Sequence, residues 1–317
     1  MFDVSQFLTA PLSFEQDLIK IGDQIQDLKA SCKDDAGILK TITSLEEDLI
    51  AKISRLYDGL TPIQKVEIAR HPLRPHGTDY INHLCGDFFE ICGDRCLGDD
   101  RAIIAGIANF RGVGVVFIAQ EKGHDNESRK IHNFGMPMPE GYRKAARAMQ
   151  IAEELAMPVV CLIDTPGAYP GVVSEEHGQG YVLAECLSQA AKTRAPIISC
   201  LIGEGGSGGA VAIGVANWLI MLEHSVYSVI SPEGCASILW KAKDKKSDAA
   251  AAQKLTAQDL LKYALIDEIV KEPFGGAHRD KIACMNSVGD AIHIALQKYP
   301  NKAMYGAYAQ QRAQKYA

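Results

Sequence analysis

The feature that most constrains this fold is a repeated unit of strand, glycine-rich loop and helix. One copy begins with the apolar run Met157–Asp164 and the next with Ala195–Gly203, and each run has a proline near its start. Uninterrupted apolar strands are expected where helices cover both faces of a parallel sheet. Because crossovers between parallel strands are right-handed, repetition of this unit predicts a compact α/β spiral.

The same alternation extends to both sides of the repeat. Four further strands are predicted at Ile103–Ala108, Val113–Ala119, Trp218–Leu222 and Tyr227–Ile230. Between the Val113–Ala119 strand and the Met157–Asp164 run, Glu140–Ala156 has the apolar spacing of a helix. Proline is favoured at the first helical position, so Pro232 predicts that another helix starts there.

The N-terminal segment carries apolar side chains at helical spacing. The first series is Phe14, Leu18, Ile21, Ile25 and Leu28, and the second is Leu39, Ile42, Leu45, Leu49, Ile53 and Leu56. Ser13 and Gln16 fit a capping box, and Lys33–Gly37 fits a turn between two helices. A helical hairpin is therefore predicted. The sequence leaves open whether it packs on its own domain or contacts another subunit.

These patterns divide the chain into four expected parts. They are a helical hairpin (1–60), a linker and entry segment (61–100), an α/β domain (101–285) and a C-terminal helix and tail (286–317). Prolines at positions 62, 72 and 75 punctuate the second part. They exclude a regular helix across Arg70–Pro75.

Composition excludes several classes of protein. A net charge of -6 and a pI of about 5.9 argue against binding to nucleic acid or to an anionic membrane. The longest apolar run, Ala210–Leu222, is shorter than the roughly 20 residues of a membrane span. Nine cysteines without a paired C-x-x-C predict free thiols and no metal site. A cytoplasmic chain is expected.

The sharpest candidate site is Gly203–Gly209, which has five glycines in seven residues between a predicted strand and a helix. A helix N-terminus presents unpaired N–H groups, and glycines let a ligand approach the backbone. Such a loop suits a bound anion or an oxyanion that develops during a reaction. It is not a Walker A loop, because no Lys-Ser/Thr follows, and the dinucleotide fingerprint fits poorly.

The same loop admits other interpretations. Its glycines around Ser207 satisfy G-x-S-x-G, the pattern of a hydrolase nucleophile, and Asp267 and His278 follow in the order of a catalytic triad. A non-catalytic scaffold that binds a partner through the N-terminal hairpin is a third possibility. The residues alone leave these alternatives open.

Two features flank the glycine loop in sequence. Asp164–Gly171 contains two prolines and two glycines at the end of a predicted strand, where α/β folds bind ligands. A basic cluster surrounds the loop Asn133–Tyr142; it consists of Lys122, Arg129, Lys130, Arg143 and Lys144. Local positive charge in an acidic chain suits a phosphorylated ligand such as coenzyme A.

Four ordered segments resemble the alpha-subunit family of the acetyl-CoA carboxylase carboxyltransferase, of the bacterial and plastid multi-subunit type. They are Asn133–Lys144, Ile163–Gly171, Gly203–Gly209 and Ser231–Trp240. The resemblance extends from Arg70 to Arg279. It therefore covers most of the chain, whereas the hairpin and the tail after about residue 285 are less recognisable.

The resemblance implies a crotonase-like spiral of ββα repeats and a defined reaction. A carboxyl group would pass from carboxybiotin on the biotin carboxyl carrier protein to acetyl-CoA, giving malonyl-CoA for fatty acid synthesis. The family forms an alpha2-beta2 heterotetramer with zinc only in the beta subunit, and biotin carboxylase charges the biotin. This sequence has no Met-Lys-Met biotin-acceptor site and no P-loop, so no covalently bound cofactor is expected here.

The resemblance also implies the site residues. The backbone N–H groups of Gly208 and Gly209 would form an oxyanion hole that Gly205 and Gly206 shape. Apart from the resemblance, the Asp164–Gly171 loop and the basic cluster predict contacts with substrate from Pro166, Gly167, Ala168, Tyr169, Lys122, Arg143 and Lys144, and the sequence does not say which basic residues meet coenzyme A. Ser207 would be a permissive loop residue. A related carboxyltransferase acting on propionyl-CoA stays open, because the acyl pocket is not legible in the sequence.

Overall fold

The computed structural model describes residue 4, residues 9–31 and residues 35–316. Its strands are β1 Phe88–Glu90, β2 Ile103–Phe110, β3 Val113–Gln120, β4 Val159–Thr165, β5 Ile197–Gly206, β6 Trp218–Leu222, β7 Val226–Ser228 and β8 Glu268–Val270. The first half of the chain contributes helices α1 Gln16–Ser31, α2 Ala36–Asp58, α3 Pro62–Ala69, α4 Gly77–Leu84, α5 Asn126–Ile131 and α6 Pro139–Glu154. The second half contributes α7 Val172–Glu176, α8 Gln179–Lys192, α9 Ser207–Gly214, α10 Pro232–Trp240, α11 Lys246–Gln253, α12 Ala257–Lys262, α13 Lys281–Gln297 and α14 Tyr305–Lys315.

All eight strands belong to one mixed sheet. Its order is β1-β2-β3-β4-β5-β6-β8, and β7 pairs with the end of β5 beyond the reach of β6. The first three strands are antiparallel, and every pairing from β3 onward is parallel. The predicted alternation of strands and helices is therefore confirmed, and so is the helix start at Pro232.

Helices cover both faces of this sheet. One apolar core joins the sheet to α6 and α8 through side chains such as Tyr142, Met149 and Cys186. The other joins it to α4 and α13 through side chains such as Tyr80 and Val288. Because every residue of β4 and β5 is buried, these strands read as uninterrupted apolar runs.

The predicted helical hairpin is confirmed. α1 and α2 pack through a separate apolar cluster that includes Ile25, Leu49 and Ile53. The predicted turn at 33–37 lies partly outside the described residues. The predicted capping box at Ser13 is wrong, because the backbone N–H of Leu12 donates to the Glu15 carboxylate at 2.7 Å.

Glu15 also ties the hairpin to the rest of the chain. Its carboxylate accepts hydrogen bonds from the Tyr57 hydroxyl at 2.8 Å and from the Arg279 guanidinium at 2.8 Å. All three side chains are therefore joined at the base of the hairpin. The hairpin thus packs on its own domain through a buried carboxylate, and a subunit contact on its outer face stays a prediction.

The expected linker 61–100 contains two helices and a strand. α3 and α4 pack against the sheet, and β1 forms its edge. The boundary expected between the α/β domain and the C-terminal part, after residue 285, falls inside α13. The four-part division stays a prediction. All cysteines that the structure describes are free thiols. Among the described residues, no helix combines the length and the apolar character that a membrane crossing requires.

Candidate active site

Two loops meet at the carboxyl edge of the sheet. β4 ends at Thr165, and the neighbouring parallel strand β5 ends at Gly206. The sequence predicted that the glycine loop would begin at Gly203, and this was wrong. Gly205 and Gly206 pair with Tyr227 and with the last residue of β7, so tertiary pairing overrides the low strand preference of glycine.

The two loops pack backbone against backbone. A Cβ atom built on Gly206 would overlap the carbonyl group of Pro166. A Cβ built on Gly209 would lie 2.7 Å from the carbonyl carbon of Gly167 and 2.8 Å from the nitrogen of Ala168. No side chain fits between these segments, so glycines at both positions keep the loops together.

Gln120 fixes the two loops from below. Its amide nitrogen donates to the carbonyl oxygen of Gly209 at 2.8 Å, and its amide oxygen accepts from the backbone N–H of Asp164 at 3.1 Å. The Gln120 side chain is fully buried. A buried amide satisfied on both sides holds the start of α9 in a fixed position relative to β4.

The start of α9 presents main-chain donors at the surface. No side chain caps this helix among the described residues, since its N-cap is Gly206. The first amides of a helix have no acceptor within the helix. Gly208 is partly exposed, whereas Gly209 is buried, so Gly208 is the better candidate for a main-chain donor to a ligand. Ser207 adopts a positive φ of 52° at the turn between strand and helix.

An apolar groove of about 400 Å³ lies beside this helix start. It is lined by Ser207, Gly208, Val211, Tyr227, Ser228, Val229, Gln253, Leu260 and Leu265. Val229 is 83% exposed and Leu265 is 55% exposed, so part of the wall faces outward. The arrangement places one polar main-chain donor against a largely hydrophobic ring of side chains, which is typical of small-molecule sites.

A network of ion pairs holds the ends of β4 and β5 together. The Lys122 ammonium lies 2.5 Å from the Asp164 carboxylate and 3.6 Å from that of Glu204. Arg70 bridges Glu204 at 2.7 Å and Glu233 at 3.0 Å. Burial opposes the charge on Arg70, but the two carboxylates outweigh that effect and raise its pKa. The network therefore connects the ends of β4 and β5 to α10.

The network forms one wall of a second cavity, of about 220 Å³. The cavity is lined by Ala69, Arg70, His71, Pro72, His76, Lys122, Arg129, Phe134, Asp164, Pro166 and Glu204. Five of these residues come from 61–100. Sequence reasoning missed them because it treated that segment as a linker, although its several basic side chains were a signal.

The structure separates the basic residues that the sequence grouped together. Lys122 lies at the cavity described above. Arg129 also lines that cavity, whereas Arg143 does not and pairs with Asp94 at 3.1 Å. The Lys144 side chain is fully buried and pairs with Asp99 at 2.6 Å, so it has no surface to offer a substrate. Arg143 and Lys144 therefore stabilise the chain's own loop, and we do not retain Lys144 as a substrate contact.

The structure contradicts the serine-hydrolase triad. The Asp267 carboxylate accepts from the backbone N–H of Leu219 at 2.7 Å, and Leu219 is paired with Ser199 near the start of β5. Ser207 follows eight residues later along that strand direction. At about 3.3 Å per residue, Asp267 and Ser207 are roughly 26 Å apart, so they lie at opposite edges of the sheet.

His278 does not reach Ser207 either. It is buried and stacks on His71 with 3.9 Å between ring centroids. Burial and the neighbouring His71 lower its pKa. His278 therefore belongs to the core next to His71. Neither of the two predicted triad partners is placed to activate Ser207.

The fold is found in solved structures of other proteins. Transcarboxylase 12S with methylmalonyl-coenzyme A superposes with a TM-score of 0.58 at 18% identity, over 70% of this chain and 41% of that one. A Pseudomonas malonate decarboxylase hetero-tetramer in complex with coenzyme A superposes at 0.58 and 19% identity, over 75% of this chain and 95% of that one. These likenesses confirm the crotonase-like class of α/β fold.

Sequence similarity is more specific. The family model described as acetyl co-enzyme A carboxylase carboxyltransferase-like matches residues 11–317. The chain is 49% identical over 286 residues to the acetyl-coenzyme A carboxylase carboxyl transferase subunit alpha of Rhodospirillum centenum, covering 90% of each chain. It is 50% identical over 288 residues to the subunit of the same name from Nitrosomonas eutropha, covering 90% of this chain and 89% of that one. The chain therefore belongs to the acetyl-CoA carboxylase carboxyltransferase family, as the resemblance predicted.

Proposed function

We propose that this chain is the alpha subunit of a carboxyltransferase that moves a carboxyl group from biotin on a carrier protein to acetyl-CoA. The observation that carries this proposal is the start of α9, where the partly exposed Gly208 lines an apolar groove. The fused ring of biotin combines an apolar sulfur-containing half with a polar ureido half, and this suits an apolar groove beside a main-chain donor. The reaction passes through oxyanions, which backbone donors and a helix N-terminus stabilise.

Each part of the site has a place in this proposal. Gly208 donates to the developing oxyanion, and Gly209 supports it by packing on Gly167. Gly205 and Gly206 extend β5 so that the helix starts at the edge of the groove. Pro166, Ala168 and Tyr169 lie on the facing loop and remain candidate substrate contacts. The biotin supplies the carboxyl group, so this chain needs no nucleophile of its own.

The outward wall of the groove points to a partner subunit. Seven large apolar side chains between residues 229 and 265 are at least 42% exposed. They are Val229, Ile238, Leu239, Trp240, Leu261, Tyr263 and Leu265. Exposed apolar side chains at this density are typical of protein–protein interfaces. We infer that a zinc-bearing beta subunit covers this region, in an alpha2-beta2 assembly, and provides the groups that bind coenzyme A.

The same proposal extends to the rest of the enzyme. The biotin carboxyl carrier protein would deliver the carboxylated biotin to the groove. Biotin carboxylase would carboxylate that biotin in an ATP-dependent step. Malonyl-CoA would be the product, and the cytoplasm the compartment. None of these partners requires a covalent cofactor on this chain.

The reverse reaction tests the proposal. Malonyl-CoA and free biocytin are mixed with this chain alone, and then with the chain co-purified with its beta partner, while acetyl-CoA is measured. We expect acetyl-CoA only with both subunits, because neither chain holds the complete site. Absence of activity in both preparations, together with ester hydrolysis by this chain alone, would contradict the proposal.

Ser207→Ala is the matched variant for this assay. The Ser207 hydroxyl is exposed and has no role in the proposed reaction, and alanine keeps the size of the loop. We expect the reverse rate to stay within about twofold of the wild type, the range of ordinary surface substitutions. A loss of a thousandfold with intact assembly would instead identify Ser207 as a nucleophile.

A further inference from the structure

Three metal-ligating side chains lie together beside the charged network. His76 immediately precedes α4, and Glu121 and His124 follow the end of β3. The Nδ1 atom of His76 lies 3.2 Å from Oε1 of Glu121. One possible ligand atom from each of the three residues lies within 4.8 Å of the others. The fold thus brings His76 to two residues that lie 45 and 48 positions later in the sequence.

One ligand atom in this cluster has no partner. His76 is only 4% exposed, and among the described residues its Nδ1 atom makes no hydrogen bond, because its contact with Glu121 is poorly directed. A buried polar atom without a partner is costly in a folded protein. This nitrogen is therefore an unused coordination position 3.2 Å from a carboxylate oxygen.

The Glu121 carboxylate is already held in place. One oxygen accepts from the backbone N–H and the hydroxyl of Thr78 at 2.9 and 2.6 Å, and the other accepts from the Gly123 N–H at 2.8 Å. The carboxylate is thus fixed by three hydrogen bonds, with Oε1 3.2 Å from Nδ1 of His76.

His124 closes the cluster from the solvent side. Its side chain is 45% exposed, and its ring stacks on that of His76 with 4.3 Å between centroids and 8° between planes. A metal ion lies in the plane of each imidazole that binds it, so one ring of a parallel pair has to turn. The His124 ring is the more exposed of the two, so it is the one that turns, and in doing so it gives up its contact of 3.3 Å with Asp79.

We propose that His76, Glu121 and His124 bind a divalent transition-metal ion of the Zn²⁺ class. Two imidazoles and one carboxylate form a donor set that suits Zn²⁺ at about 2.0–2.2 Å, and three protein ligands leave a fourth position. Asp79 or a water molecule fills that position. The nearby Lys122 ammonium does not oppose the ion, because it is paired with Asp164.

A bound ion links two parts of the cavity wall. His76 precedes α4, whereas Glu121 and His124 flank Lys122, which lines the 220 Å³ cavity together with His76. The metal therefore fixes the loop that carries Lys122 to the start of α4. This site is distinct from the zinc assigned to the beta subunit, and the proposal does not depend on the carboxyltransferase reaction.

Metal binding to the isolated full-length chain tests the proposal. The chain is purified without a histidine tag and without its beta partner, and its metals are removed with a chelator. Zn²⁺ is then titrated in competition with a chromogenic chelator, and Co²⁺ is titrated by visible absorbance. We expect one ion per chain, with a Co²⁺ spectrum of four-coordinate nitrogen and oxygen ligation, and a melting temperature that rises with Zn²⁺.

Two histidine variants separate this site from adventitious binding. His124→Gln removes an exposed ligand and should weaken Zn²⁺ binding by at least about tenfold, the loss that even an outer-sphere partner commonly causes. His83→Gln is the matched control, since the exposed His83 side chain bonds to Asn286 and is not part of the cluster. The affinity of this variant for Zn²⁺ should equal that of the wild type. Absence of stoichiometric binding in the wild type, or equal affinities in the two variants, would overturn the proposal.

Discussion

Gly208→Pro is expected to lower kcat of the assembled carboxyltransferase by about 10²–10³. Proline has no N–H, so the variant removes the donor that faces the groove. Its ring is tolerated in the first turn of a helix, where the N–H has no intrahelical acceptor. Gly208 is the second residue of α9, so the helix itself should persist. The measurement is the reverse reaction at saturating malonyl-CoA.

Gly208→Ala is the control for this experiment. Alanine keeps the N–H, and a Cβ atom at Gly208 would meet only Leu183, at 3.5 Å. We therefore expect the alanine variant to keep most of the activity. Circular dichroism and co-purification with the partner report whether each variant folds and assembles. Equal losses in the two variants would show that space at this position matters and the donor does not.

Arg74→Met is expected to destabilise the protein by about 3–5 kcal/mol, because it leaves a buried carboxylate without its partner. The Arg74 guanidinium forms two hydrogen bonds of 2.8 Å with Glu272, and both side chains are almost fully buried. It also donates to the carbonyl oxygen of Ile202 on β5 at 2.8 Å. Chemical denaturation at neutral pH measures the change in the free energy of unfolding.

The double variant Arg74→Met, Glu272→Gln is the matched control. Since it removes the unpaired charge, it should recover part of the lost stability. If the double variant recovers none of the lost stability, the packing of Arg74 matters more than its charge. A single variant as stable as the wild type would contradict the role assigned to the pair.

The same pair sets a dependence on pH. Burial would raise the pKa of Glu272, but Arg74 and His224 lower it from the ordinary 4.5 to about 2. A carboxyl group with a depressed folded-state pKa contributes stability that is complete above 4.5 and is lost as the pH falls towards 2. The wild type should therefore lose stability across that interval, and Arg74→Met should lose much less.

Local patterns were enough to predict the alternation of strands and helices and the N-terminal hairpin, whereas the crotonase-like class came from the family resemblance. The apolar runs of β4 and β5 and the spacing of Ile25 and Leu49 in the hairpin are signals that lie within single elements. The path of the glycine loop was not predicted, because Gly205 and Gly206 become a strand only by pairing with β7. That pairing depends on residues about twenty positions away.

The supports of the site could not be read from the sequence for a related reason. Arg74 and Glu272 are 198 positions apart, and the two are matched only once the sheet has formed. Lys144 stood beside Arg143 in a basic cluster, yet its partner Asp99 lies 45 positions earlier. Charge patterns along the chain give the sign of a cluster, whereas the fold decides which charges are already neutralised.

The last helix has a consequence for how the chain is made. Arg312 on α14 is fully buried and donates to the carbonyl oxygen of Thr193, which lies 119 residues earlier, and to the side chain of Asn217 at 2.5 Å. During synthesis at about 5–20 residues per second, that stretch takes on the order of ten seconds to emerge from a ribosome. For that interval the Thr193 carbonyl and the Asn217 side chain, near the amino ends of β5 and β6, lack their Arg312 donor. The packing of α14 on this part of the sheet therefore waits until Arg312 has been synthesised.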